Sequence, residues 1–255
     1  MEWNLTITGN TPLNPSHFLL ELQVPSSFPP PRPGQFVHIR IGEPPCFLLR
    51  RPFSIFSFQS KKRRIEVFYR IVGRGTKALS QKKKEEKINL LGPLGTPFNW
   101  DTGTVPLLVG GGRGIAPLHF LYQEMKKTGI EPYVLFGFKN AEDTVFRERF
   151  SPEKFLLSTE DGSAGEKGKV TDVLKKHIPY FQGKINKIFS CGAKEMLQEI
   201  HLIAKKEKFA CEVSFEQFMG CGIGICQGCV VKTKQGYKRI CREGPVFNAD
   251  EIAWE

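Results

Sequence analysis

Along the first hundred residues the apolar positions fall into short runs, at 3–8, 18–24, 35–41, 52–58 and 65–72, rich in β-branched and aromatic side chains. Turn chemistry separates them: Asn14-Pro15-Ser16, the proline stretch 29–33 with Gly34, and Gly42-Glu43-Pro44-Pro45. Short strands at this spacing predict an antiparallel barrel or sandwich. One helix interrupts them, opening near Gly75-Thr76 and running to about Gln81. The proline stretch is too short for a linker and reads as a rigid loop.

Around Leu94-Gly95-Thr96-Pro97 the pattern changes. A buried-strand run, Val105 to Val109, leads into Gly110-Gly111-Gly112-Arg113-Gly114 and a helix from about Pro117, whose Leu118, Leu121 and Met125 share one apolar face. Strands at 133–138, 155–159 and 187–191 then alternate with helices near 143–149, 170–176 and 194–205. Such alternation predicts a parallel sheet with helices on its faces. The expected organisation is a β barrel plus α/β: a barrel domain at 1–100, an α/β domain at 101–210 and a distinct tail at 211–255.

Charge changes this picture little. Lys and Arg number 37 against 26 Asp and Glu, a formal net charge of +11, which alone would suggest a polyanionic partner. The basic residues form short scattered groups, such as Lys61-Lys62-Arg63-Arg64 and Lys82-Lys83-Lys84, and most fall at loop tips or helix ends, where cations stay solvated. No groove-entering motif accompanies them, so neither nucleic acid nor a membrane is expected as a partner. No run reaches the roughly 18 apolar residues of a membrane helix. Met1-Glu2-Trp3-Asn4 gives no secretory n-region, and a reducing cytoplasm is the expected location.

The seven cysteines are more informative. Cys221, Cys226 and Cys229 are spaced C-x4-C-x2-C, and Cys241 follows after eleven intervening residues. That is the spacing of plant-type 2Fe–2S ligation, in which four thiolates converge on a two-iron rhomb. The glycines at 220, 222, 224 and 228 would let backbone N–H groups approach the sulfurs. Structural zinc is the competing reading, but it usually takes two C-x2–4-C pairs, and the far side here offers Cys241 alone. Cys46, Cys191 and Cys211 read as buried hydrophobes.

Two further segments suit phosphates. The strand, the glycines Gly110, Gly111, Gly112 and Gly114, and the following helix form the layout that presents a helix N-terminus to a pyrophosphate. It is not the Rossmann fingerprint: Ile115 or Pro117 stands where the final glycine belongs, and Lys139-Asn140 supplies no acid for a ribose. In the barrel, Arg51-Pro52-Phe53-Ser54 combines a guanidinium, a ring and a hydroxyl, and Gly75-Thr76 opens a helix.

Together these parts resemble the ferredoxin-reductase-type flavoproteins and, among them, the electron-transfer subunits of NAD-dependent dihydroorotate dehydrogenases of type B. The segments that carry the resemblance are Pro33–Phe36, Arg51–Ser54, Tyr69–Thr76, Leu91–Gly95, Gly110–Leu118, Asp161-Gly162-Ser163, Cys191-Gly192, Cys221–Cys226 and Cys241–Phe247. The resemblance implies FAD in the barrel, its pyrophosphate on Arg51 and Gly75-Thr76, Ser54 beside the flavin, and Phe68, Tyr69 and Arg70 lining it. It implies NAD over Gly110–Gly114 and a 2Fe–2S cluster on the four cysteines. It also implies a partner, the catalytic FMN-containing subunit that oxidises dihydroorotate, in a two-plus-two heterotetramer serving pyrimidine (UMP) biosynthesis. Two residues depart from the pattern: Arg113 stands where a small or aliphatic residue is usual, and Phe53 where an aliphatic one is.

A flavin converts two-electron hydride chemistry into the one-electron steps of a cluster. No substrate acid–base set is visible, so no catalytic residue is assigned and a relay subunit is expected. The rivals are a reductase subunit serving ferredoxin, a hydrogenase or a sulfur-reducing partner, and a zinc-containing regulatory protein on the same fold.

Overall fold

The structure is a computed structural model that describes residues 1–42 and 47–254. The expected turn at 43–45 and Cys46 lie outside the described residues. The barrel is built from β1 (Glu2–Pro12), β2 (His17–Gln23), β3 (Phe36–Arg40), β4 (Arg51–Ser54), β5 (Ser57–Gln59) and β6 (Arg64–Arg70), then α1 (Arg74–Ser80) and β7 (Lys87–Leu94). Across the sheet the order is β4-β3-β7-β1-β2-β6-β5, antiparallel throughout. Its two ends are consecutive in the chain, joined by the buried Ile55-Phe56. The Ile55 N–H donates to the Gln35 carbonyl at 3.1 Å and the Phe56 N–H to that of Glu66 at 2.8 Å. The chain thus steps from one edge of the sheet to the other and closes it. Period-two alternation sends Leu20, Leu22, Val37, Ile39, Val67 and Tyr69 inward.

The second unit comprises β8 (Pro106–Gly111), α2 (Ile115–Lys127), β9 (Tyr133–Phe138), β10 (Phe155–Thr159), β11 (Glu166–Lys167), α3 (Val170–Phe181), β12 (Lys187–Gly192), α4 (Lys194–Glu207) and β13 (Ala210–Phe215). The tail adds the hairpin β14 (Val230–Thr233) and β15 (Gly236–Arg239), then β16 (Val246–Asn248). The sheet order is β11-β10-β9-β8-β12-β13-β16, parallel except for β16. The order reverses between β8 and β12, the switch point where open α/β sheets bind ligands beyond their carboxyl ends.

Two expectations change. The boundary drawn at residue 211 cuts β13, which pairs with β12 from Lys187↔Ala210 to Gly192↔Phe215, while β16 pairs with β13 in turn. The tail is therefore woven into the α/β sheet. The helix expected near 143–149 is replaced by two 3₁₀ turns, Ala141–Asp143 and Arg147–Arg149, with Phe146 between them at φ 68°. Packing overrides helical spacing here, because Phe146 and Phe150 both turn into the layer between the domains.

That layer fixes the domains against each other. His119 of α2 stacks on Phe56 at 3.9 Å between ring centroids, and its Nδ1 lies 3.0 Å from the Phe56 carbonyl. Arg149 lies over the Phe56 ring and 3.7 Å from Glu66, and Asn14 donates to the Glu142 carbonyl at 2.7 Å. Surface lysines are paired locally, as in Lys82–Glu86 at 3.0 Å and Lys126–Glu131 at 3.1 Å. Among the described residues no helix is long and apolar enough to cross a membrane.

Candidate functional site

The barrel residues singled out from sequence come together where β4, β6 and α1 meet. Arg51 extends beside the start of α1: a Cβ on Gly75 would stand 3.5 Å from the Arg51 Nε. Its Nη1 donates to the Leu49 carbonyl at 2.6 Å. The Thr76 hydroxyl accepts from the N–H groups of Val72 at 2.9 Å and Gly73 at 3.3 Å, which sets the turn into the helix. Pro52 and Ser54 sit on β4 opposite His38 and Phe36, and the Phe53 ring meets Tyr69 edge-on.

The side chains of Phe68, Tyr69 and Arg70 do not share one face of β6. Successive strand residues point to opposite faces. Tyr69 enters the barrel core, where its hydroxyl donates to Asn10 at 2.9 Å and burial pushes its pKa up. Phe68 faces the domain interface, stacked with His17 and edge-on to Phe146. Arg70, on that same face, lies 3.6 Å from Asp143 and keeps a side chain 40% exposed. Of the three side chains, Arg70 is the exposed one, whereas Phe68 and Tyr69 are buried.

The glycine turn lies at the switch point between β8 and β12, as its phosphate-binding reading requires. Gly114 is obligatory there, since a Cβ would fall 1.9 Å from the Cys191 carbonyl at the end of β12. The helix begins at Ile115, two residues before the expected start, and no side chain caps it. Arg113 turns toward the tail, 3.3 Å from Glu216. Cα atoms of β6 come within 8 Å of the Gly112–Gly114 turn, so the turn lies close to the barrel strand that carries Arg70.

The four cysteines lie in two pairs. The Sγ of Cys221 accepts the N–H groups of Ile225 at 3.3 Å and Cys226 at 3.4 Å, and the Sγ of Cys229 accepts the Cys241 N–H at 3.4 Å. Partial burial pushes Cys221 up, but the N–H groups of Cys226, Ile223 and Ile225 and the Cys226 thiol outweigh it and bring its pKa to about 6. Cys241 is pushed up to about 12, by burial first and by the neighbouring Cys229 next. A Cβ at Gly220 would stand 3.2 Å from the Cys226 Sγ, so the loop does let backbone crowd a sulfur. Among the described residues no three His, Cys, Asp or Glu side chains are gathered around one point. Two pairs suit a two-iron group, with N–H donors already aimed at the sulfurs. Cys229 and Cys241 are buried, whereas Cys226 is exposed, as are Phe218 and Ile225. The lone Cys191 and Cys211 are buried apolar residues, as expected.

Three features of this loop escaped the sequence. The Arg239–Glu243 pair clasps it, with Arg239 donating to the Gly224 carbonyl at 2.8 Å and Glu243 drawn down to about 2 by that guanidinium. Thr96 of the barrel holds the far side through its N–H to the Gly244 carbonyl at 2.6 Å. His38 of β3, wholly buried, touches Gly222, and burial brings its pKa down to about 4. A histidine on the outer face of a strand carries no local signal; only the folded loop reveals it.

Comparison with known proteins agrees with this layout. Residues 216–253 match the iron-sulfur cluster binding domain of dihydroorotate dehydrogenase B, and residues 108–201 match the oxidoreductase NAD-binding domain. The chain is 39% identical to the dihydroorotate dehydrogenase B (NAD(+)) electron transfer subunit of Caldanaerobacter subterraneus over 232 residues, 87% of each chain. It is 38% identical to that of Fusobacterium nucleatum over 231 residues, 88% of this chain and 87% of the relative. A solved NADH-dependent reduced ferredoxin-NADP oxidoreductase, studied for flavin-based electron bifurcation, superposes with a TM-score of 0.87 at 29% identity, covering 98% of this chain and 90% of that one. A ferredoxin NADP+ reductase from Neisseria gonorrhoeae shares the fold, with a TM-score of 0.68 at 18% identity over 84% of this chain and 99% of that one. By sequence and by architecture, the chain belongs to the family of dihydroorotate dehydrogenase B (NAD(+)) electron transfer subunits.

Proposed function

We propose that this chain carries electrons from a dihydroorotate-oxidising, FMN-containing partner to NAD+, and that it holds one FAD and one 2Fe–2S cluster to do so. The observation that carries the reading is a shared strand: β3 pairs with the Arg51–Ser54 strand at its edge and is covered at His38 by the cysteine loop. The two proposed cofactor sites would therefore lie one strand apart. When bound, FAD exchanges electrons in pairs with a nicotinamide and singly with an iron–sulfur cluster.

The chain's own residues divide the remaining tasks. Arg51, with Gly75 leaving it room, would hold the FAD pyrophosphate by charge-assisted hydrogen bonds, with Thr76 setting the turn and Ser54 beside the ring. Cys221 and Cys226 would take one iron, and Cys229 and Cys241 the other. Gly110, Gly111, Gly112 and Gly114 would seat the NAD pyrophosphate at the start of α2. Exposed Phe218, Ile223 and Ile225 surround the solvent side of the cysteine loop, an apolar rim suited to the catalytic partner. We place the assembly in the cytoplasm as a two-plus-two heterotetramer.

The test is to co-purify the chain with a dihydroorotate-oxidising subunit and measure NAD+ reduction by dihydroorotate. The complex is expected to turn over and the isolated chain is not. Cys226→Ser should abolish coupled turnover while FAD stays bound; full activity in that variant would overturn the cluster assignment.

A further inference from the structure

His38 takes no part in the cradle or the glycine turn, yet it occupies the contact between the barrel and the cysteine loop. It is 0% exposed on the outer face of β3, opposite Pro52 of β4 and Leu91 of β7. Gly222, next to Cys221 and at φ 72°, presses so closely that a Cβ would stand 2.3 Å from the His38 Nδ1. Neither ring nitrogen has a partner with hydrogen-bond geometry; the backbones of Cys221 and Arg50 are near enough to bias the ring but do not satisfy it. A buried polar ring left unpaired is unfavourable, and such groups in native proteins ordinarily have a partner, supplied if need be by something other than polypeptide. The loop that covers the ring carries Cys221 beside Gly222, and the thiolate sulfurs of a cluster held there would be acceptors. A neutral imidazole has one N–H to give them.

We propose that His38 is a positioning residue whose ring N–H donates to a sulfur of the iron–sulfur group on Cys221, Cys226, Cys229 and Cys241. The bond seats the cysteine loop on the barrel one strand from Arg51–Ser54 and raises the cluster's reduction potential, because a donor to sulfur favours the more negative, reduced state. This rests on the cluster reading above, deepens it, and assigns a role to a residue of the barrel.

The experiment uses the chain loaded with iron and flavin, as wild type, His38→Gln and His38→Leu, with iron per chain measured first. Pulsed magnetic resonance on the reduced wild-type chain, grown with isotopically labelled histidine, should show coupling of the cluster to one ring nitrogen and to one exchangeable proton. His38→Leu should lose both. At a fixed potential its oxidised-to-reduced ratio should rise about tenfold, which is about 59 mV for a one-electron couple. His38→Gln, which keeps an N–H, should shift less. Iron-loaded wild type without the coupling overturns the proposal, as does iron-loaded His38→Leu titrating with the wild type. If the leucine variant holds no iron, the coupling in the unaltered chain still decides. A wild-type chain that binds no iron would overturn the cluster reading itself, and this proposal with it.

Discussion

His119 ties acid sensitivity to the joint between the domains. Its ring lies flat on Phe56, 5° from parallel, and is fully buried, with Nδ1 on the Phe56 carbonyl and Nε2 unpaired. Burial, only partly offset by that carbonyl and reinforced by the Arg149 cation, pushes its pKa down to about 3. In the unfolded chain the group titrates near 6.5. Between those values the unfolded state binds more protons, so stability is lost as pH falls through this window. For one such group the loss between about pH 7.5 and about pH 5 is on the order of 2 kcal/mol. His119→Phe keeps the stack and removes the titration. It forfeits about 1 kcal/mol of hydrogen bond but also removes an unsatisfied nitrogen of similar cost, so near neutral pH it should match the wild type within about 1 kcal/mol. At about pH 5 it should be the more stable by about 2 kcal/mol relative to that baseline. Urea unfolding followed by tryptophan fluorescence at both pH values gives the double difference, in which the other titrating groups cancel. Parallel shifts in the two proteins would refute the reasoning.

Arg51→Ala should weaken FAD retention about 10- to 150-fold, the equivalent of about 1.5–3 kcal/mol for a charge-assisted bond, and Arg51→Lys should recover only part of it; equilibrium dialysis of flavin measures both, and unchanged retention removes Arg51 from the cradle. Gly114→Ala forces a methyl group into the Cys191 carbonyl and should cost about 1–3 kcal/mol in unfolding experiments. The same variant should weaken NADH binding while leaving flavin absorbance intact, and unaltered NADH affinity would count against the glycine turn. Cys191→Ala and Cys211→Ala should each leave iron content unchanged, because both thiols are buried in apolar layers and pushed up by burial, the latter to about 12; loss of iron in either would break the four-ligand assignment. Arg113→Ala should change stability by less than about 1 kcal/mol, since its bond to Glu216 is half exposed and screened.

What was legible in the sequence was local. The C-x4-C-x2-C spacing located the cysteine loop because all three cysteines come from one short segment. Gly110–Gly114 and Arg51–Ser54 were legible for the same reason. Less visible were β7 and β16: the first carries Gly92-Pro93 within its run, and the second is only three residues long and gains its identity from β13. The fates of Phe68 and Tyr69 depended on which face of β6 meets the barrel, a matter of register. Phe146 broke its helical spacing for an aromatic layer contributed mostly from elsewhere in the chain. His38 was silent because its meaning comes from Gly222, far away in sequence.

The pairing of β16 with β13 has a consequence for the lifetime of the protein. Residues 246–248 cover part of the last parallel strand, whose exposed backbone groups would otherwise be a template for another chain. The segment that closes this edge is continuous with the one that supplies Cys241. A proteolytic cut between them that released β16 would leave the cysteine loop attached to a molecule in which β13 is the bare edge of its sheet. Damage there would appear as self-association as well as lost electron transfer, so the tail guards solubility with the same residues that complete the fold.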